Sequence, residues 1–183
     1  MSQPSKSKNQ RPGRPKKAKP LTDKAWVSLF RYNARALRLR DISSNILMGL
    51  VEKYGDGWIK GPKPINDPDF LLKSNDLMLF TEYWYSSLEI VVETYDKYVL
   101  EDEDINKLLD MPFREQLKKF RNDSFHFRED YDAANSLAVL NNEGAFNWVI
   151  SLQKAFLIFF EKEEQNLKER SGVIVRKIPL RYR

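Results

Sequence analysis

SNDLMLFTEYWYSSLEIVVETYDKY, residues 74–98, is the stretch that decides the fold. Its apolar residues fall at Leu77, Phe80, Tyr83, Trp84, Leu88, Val91, Val92 and Tyr95. Steps of three and four are the period of a helix with one apolar face, and the alternation of a half-buried strand is missing. Ser74-Asn75-Asp76 supplies the side chains that cap a helix start, so the spacing predicts a helix from there to Tyr98. Aromatics this dense point to core or to a subunit interface. Glu89 stands between Leu88 and Ile90, and a carboxylate on such a surface needs a cation or a cleft.

The same period extends to both sides. Upstream, Thr22 or Asp23 opens a run through Trp26, Leu29, Phe30, Leu37, Ile46, Leu47 and Leu50, closed by Gly55 and Gly57, with Asp41-Ile42-Ser43 as the candidate break. Residues 55–73, with three glycines and three prolines, read as a loop. Downstream, the acidic stretch Glu101–Asp104 starts a short helix bearing Ile105, Leu108 and Leu109. Met111-Pro112 opens another, since proline suits a first helical position. Phe113, Leu117 and Phe120 mark its buried face, with Arg114, Lys118, Lys119 and Arg121 on or near the other side. Ala133–Leu140 reads as a short helix and Asn141–Gly144 as a turn. A last long helix runs from Ala145 to Arg170 and stops at Ser171-Gly172. The expected fold is an all-α bundle of about five helices over residues 21–170.

The chain has 183 residues, of which 42% are hydrophobic and 13% aromatic, enough for one domain with a substantial core. It has no cysteine, which excludes disulfides, thiolate zinc sites and a cysteine nucleophile. A single histidine excludes imidazole-rich metal centres, so no metal and no cofactor is expected. No apolar run is long enough to span a bilayer and no hydrophobic signal region stands at the N-terminus, so the reading is a soluble, cytoplasmic protein without a membrane partner.

The formal net charge of +5 conceals segregation. Residues 1–20 carry seven Lys or Arg, residues 171–183 carry Arg176, Lys177, Arg181 and Arg183, and neither segment contains an acid. The remaining 20 bases stand against all 26 acids in residues 21–170, a net of −6. Affinity for nucleic acid is therefore expected from the ends. With four prolines and almost no aliphatic residue, residues 1–20 read as a disordered basic arm, and residues 171–183 as a basic tail.

Two motifs carry chemistry. Arg121-Asn122 precedes the only histidine, His126, within Lys119–Phe127. Histidine can give and take a proton near neutral pH, and the guanidinium fork suits phosphate. Together they are the minimum for cutting RNA without a metal, where the 2′-OH loses a proton, the leaving oxygen gains one and phosphorus needs charge stabilisation. On an ideal helix at roughly 100° per residue, the two side chains differ in direction by about 140°. Either the helix ends near Asn122–Ser124 or two copies meet about a two-fold axis. The alternative is a solvated Arg121 and a His126 packed between Phe125 and Phe127. In the arm, Arg11-Pro12-Gly13-Arg14-Pro15-Lys16-Lys17 suits a narrow extended strand in an A·T minor groove, with Gly13 allowing close approach and Arg14 entering the negative potential. A generic basic tail for any polyanion is the alternative.

Arg121-Asn122 followed by three residues and His126 resembles the R-x(4–6)-H signature of HEPN domains. That resemblance implies a dimerising helical bundle, in many members a metal-independent endoribonuclease whose Arg and His from both subunits line one cleft. It also implies an acidic residue supporting the arginine, for which Glu89 is the candidate and Glu93, one turn on, the second choice. Asn122 would bind phosphate or fix the histidine tautomer, and Lys118 and Lys119 join Arg11, Arg14, Lys16 and Lys17 as candidate nucleic-acid contacts. HEPN ribonucleases occur as toxins and in phage defence, so RNA, a second copy of the chain and an antitoxin are the implied partners. The arm resembles an AT-hook, implying A·T-rich DNA, although Pro12 stands where an arginine normally precedes the glycine. The rival readings are a non-catalytic HEPN-like module and a DNA-associated helical dimer.

Overall fold

In a computed structural model of the chain, residues 21–59, 61–125 and 142–171 are described. They form five α-helices and one short 3₁₀ turn: α1 (Asp23–Tyr54), the turn Gly57–Ile59, α2 (Pro68–Lys97), α3 (Glu103–Leu109), α4 (Phe113–Phe125) and α5 (Glu143–Ser171). Among the described residues the protein is all-α. The arm and tail, His126, and the short helix expected at Ala133–Leu140 lie outside them.

Local chemistry sets the helix ends. Thr22 Oγ1 accepts from Ala25 N at the start of α1, and Gly55 ends it with a φ of 74°, which favours glycine. Asp102 caps α3 through Asp104 N and Ile105 N, and Asn142 Oδ1 accepts from Ala145 N at the start of α5. α1 runs unbroken through Asp41–Ser43, because Ser43 is buried and its hydroxyl meets Thr81 Oγ1 at 3.2 Å. α2 begins earlier than the Ser74-Asn75-Asp76 signal suggests. Asp67 Oδ1 accepts from Asp69 N at 2.9 Å and Pro68 takes the first helical position, so the last third of the expected loop, from Pro68 on, is helix.

α1 and α2 pack along each other as a hairpin, each between about 45 and 50 Å long at 1.5 Å per residue. α5 lies against one end of that hairpin. Trp26 and Phe30 of α1 meet Phe160, and Tyr95 of α2 meets Phe156 and Phe159. Trp84, Tyr85, Leu88, Val91, Leu117, Trp148 and Leu152 complete this core. Its polar atoms are satisfied where indoles reach across: Trp84 Nε1 donates to Gln153 Oε1 at 3.0 Å and Trp148 Nε1 to the Leu108 carbonyl at 2.8 Å.

The other end of the hairpin projects beyond this core. Its buried residues, Leu50 and Phe70, are not part of the main cluster. Phe70 instead takes edge-on contacts from Tyr54 and Trp58, each at 5.3 Å between ring centroids.

Candidate functional site

α4 lies on α2 in the opposite sense: Arg114 pairs with Asp96, Arg121 with Glu93, and Phe120 packs on Tyr85. Leu117 and Phe120 are buried and Lys118 and Lys119 are exposed. The helix continues through Asn122–Ser124 to Phe125, so it does not end at the position that would bring Arg121 and His126 onto one face. His126 itself lies outside the described residues, as do Arg11, Arg14, Lys16 and Lys17.

Arg121 sits on the last turns of α4, partly exposed. Its Nη1 donates to Asn122 Oδ1 at 3.2 Å and faces Glu93 Oε1 at 3.5 Å. The two sequence-selected polar residues, Arg121 and Asn122, are thus joined to each other. The acid that touches the arginine is Glu93, the second choice, because Glu93 reaches the open edge of the α2–α4 seam.

Glu89 lies one turn further into the seam, only 2% exposed, and its Oε2 has no hydrogen-bond partner among the described residues. Burial pushes its carboxyl up to about 8, the nearby Glu93 charge adds to this, and Arg114, Arg121 and Lys118 oppose it. It is therefore largely protonated at neutral pH. A protonated carboxyl can donate a hydrogen bond or release a proton in the range where catalytic acids and bases work.

α2 and α4 carry further buried polar atoms. The Tyr85 hydroxyl and the Ser86 hydroxyl on α2, one turn before Glu89, and Gln116 Oε1 on α4 are buried with no partner among the described residues. Burial also drives the Tyr85 hydroxyl above its ordinary range. The sequence reading passed over these three, although Ser86-Ser87 inside an aromatic helix was a signal that this face does not meet pure hydrocarbon. A buried polar group left without a partner costs about 1–3 kcal/mol, so Glu89 beside Arg121 and Glu93 marks a place where packing is not optimised for stability.

Among the described residues no group of three or more His, Cys, Asp or Glu side chains is placed to hold a metal ion, and no helix is long and apolar enough to cross a membrane. Comparison with protein-family models, with curated proteins and with solved structures returned no match.

Proposed function

We propose that the chain is a metal-independent endoribonuclease of HEPN type, acting as a homodimer in a toxin–antitoxin or phage-defence setting with an antitoxin as regulatory partner. The observation that carries this reading is the Arg121 guanidinium, held between Asn122 and Glu93 at the open end of the α2–α4 seam, five residues before the only histidine. Arg121 neutralises charge gathering on the phosphate. His126 takes the proton from the ribose 2′-OH or gives one to the leaving 5′-oxygen. Asn122 keeps the guanidinium from rotating away. Glu89, mostly protonated, leaves Arg121 with a single acidic contact, so the arginine retains positive charge for the substrate.

The test is purified protein on total RNA with EDTA present, beside Arg121→Ala and His126→Ala. General acid–base and preorganised charge terms are each typically worth about 10²–10⁴ in rate, so either substitution should abolish most cleavage. Their combination should be little worse, because the two groups act as a unit. Products should end in 2′,3′-cyclic phosphate or 3′-phosphate. Cleavage that disappears with EDTA, or survives in His126→Ala, refutes the mechanism.

A second reading rests on the charge segregation: seven bases and no acid in residues 1–20, against a body of net −6. It makes the protein a non-catalytic helical module bound to A·T-rich DNA through Arg11, Arg14, Lys16 and Lys17. Deleting residues 1–20 should then flatten the salt dependence of duplex binding. Equal affinity for A·T-rich and G·C-rich duplexes would reduce the arm to a generic polyanion contact.

A further inference from the structure

The charge segregation does not stop where the arm meets the folded body. Residues 1–40 hold twelve Lys or Arg and a single acid, Asp23, whereas residues 41–170 hold fifteen bases against 25 acids. Five of those twelve bases, Lys24, Arg31, Arg35, Arg38 and Arg40, belong to α1. At roughly 100° per residue, Lys24, Arg31, Arg35 and Arg38 fall within an arc of about 60°, and all four are exposed. Leu29, Asn33 and Ala36, on the opposite side of the helix, are buried. Arg40 pairs with Asp41 at 3.3 Å, but the other four make no ion pair among the described residues. Arg35 lies over the Tyr32 ring, 5.5 Å from its centroid. Asp23 shares a shallow depression with Lys24, Val27, Ser28 and Arg31 at one end of the row, and Glu161 and Glu164 of α5 line a groove with Phe30 and Leu37. Like charges three and four residues apart repel and weaken a helix, so folding alone does not account for this row.

We infer that the outer face of α1 is a docking track for the phosphate backbone of duplex DNA, continuous with the basic arm. From Lys24 to Arg38 the row runs about 21 Å at 1.5 Å per residue, the length of about six phosphates along one strand at roughly 3.4 Å each. The guanidinium fork matches paired phosphate oxygens, and three of the four cations are arginines. The face suits a duplex rather than a single strand because it offers charge without stacking. Trp26, Phe30 and Tyr32 of the same stretch pack against the core, whereas single-strand binders present exposed rings to the bases. It suits DNA because the arm enters α1 at the Lys24 end of the row, with Arg14, the side chain suited to an A·T minor groove, ten residues earlier. Backbone contacts position a protein on the duplex and carry no sequence information, so any A·T preference belongs to the arm. The track extends the second, DNA-binding reading and rests on it for the identity of the polyanion. It is separate from the Arg121 site, which stands on α4 against Glu93 of α2.

The test is fluorescence anisotropy of the full chain on an A·T-rich DNA duplex, between about 50 and 200 mM salt. Replacing Arg31, Arg35 and Arg38 together by Gln should make the slope of log K against log salt shallower by about 2.7, at roughly 0.9 per phosphate. Affinity at about 50 mM salt should fall at least tenfold. Far-UV circular dichroism should not change, because all three side chains are exposed. The triple replacement by Lys keeps the charge and should restore most of the slope. Lys107→Gln, Lys154→Gln and Lys162→Gln, combined on α3 and α5, remove the same charge elsewhere and should change affinity less than threefold. A second full-chain variant, with Arg11, Arg14, Lys16 and Lys17 replaced by Gln, separates the track from the arm. If the arm variant loses affinity and the α1 variant does not, the track is overturned while the DNA-binding reading stands. If the α1 variant loses affinity and the arm variant does not, the track stands without the arm. Equal losses in the α1 variant and the α3–α5 variant would reduce the effect to net charge and overturn the track. Tighter binding of a duplex RNA or a single strand of equal length overturns its assignment to DNA.

Discussion

The projecting tip of the α1–α2 hairpin and the α2–α4 seam use polar side chains in opposite ways. At the tip, charged groups are exposed and paired. Lys53 Nζ meets Asp69 Oδ2 at 2.8 Å, Lys73 meets the same carboxylate at 3.2 Å, and the Tyr54 hydroxyl donates to Asp67 Oδ2 at 2.8 Å while Asp67 caps α2. Trp58 Nε1 is an exception there, buried with no partner among the described residues. Along the seam, Tyr85, Ser86 and Glu89 of α2 are buried and carry polar atoms with no partner among the described residues, with Arg114 and Arg121 taking up the outer acids Asp96 and Glu93. The difference teaches where each part of the chain spends its polar chemistry. The tip holds a two-helix arm together beyond the reach of α5, and the seam accepts a desolvation cost at Glu89 beside Arg121 and Glu93.

The largest expected effect separates the two regions by packing. Phe70→Ala removes the one ring on which both Tyr54 and Trp58 rest, and a buried Phe→Ala change costs about 3–5 kcal/mol. Because Phe70 lies outside the main core, the loss should appear as faster amide exchange in residues 44–80, with the amides of Val91, Leu117 and Leu152 still protected. Equal acceleration in both regions would show a single cooperative unit.

Next comes pH, where the regions carry opposite signs. The folded carboxyl of Glu89 is raised from 4.5 to about 8, so the folded state holds a proton that the unfolded chain releases. The associated stability is complete below about pH 4.5 and is lost as pH rises toward 8. Asp67 and Asp69 are held below the ordinary carboxylate range, Asp67 first by the Tyr54 hydroxyl and Asp69 first by Lys53, so their contribution is present at neutral pH and lost in acid. Melting curves should therefore show Glu89→Gln more stable than the parent at pH 8–9 and no more stable at pH 4–5. A parent that gains stability between pH 5 and 8 through Glu89 would mean that the carboxylate ionises against Arg121.

A smaller change is expected from Asp67→Ala, which removes the α2 cap and the Tyr54 contact. The melting temperature should fall by less than in Phe70→Ala, with a deficit that shrinks in high salt because the charges around it are exposed. The smallest effect belongs to Tyr85→Phe. Deleting a buried hydroxyl that has no partner among the described residues should leave stability within about 1 kcal/mol of the parent, in the stabilising direction. A clear loss would reveal a partner for that hydroxyl, and the contrast between seam and tip would weaken accordingly.

Helical periodicity alone was enough for the all-α class, for α1 and α5 nearly to the residue, and for the start of α4 at Met111-Pro112. These depend on local spacing and capping, which a sequence displays directly. The beginning of α2 was misplaced because two cap signals compete there: Ser74-Asn75-Asp76 is a plausible start, but Asp67-Pro68 also satisfies the amides of the first turn, and packing of Phe70 against Tyr54 and Trp58 decides for the longer helix. At the candidate site, sequence marked out Arg121, Asn122 and Glu89 as exceptional by type and neighbourhood. Only the tertiary structure decided that Glu93 is the acid against Arg121, that Glu89 is sealed from solvent with its carboxyl pushed up, and that Tyr85 packs on Phe120 beside it. The physical reason is that burial and pairing across α2 and α4 depend on the register between two helices, and no spacing within either helix encodes that register.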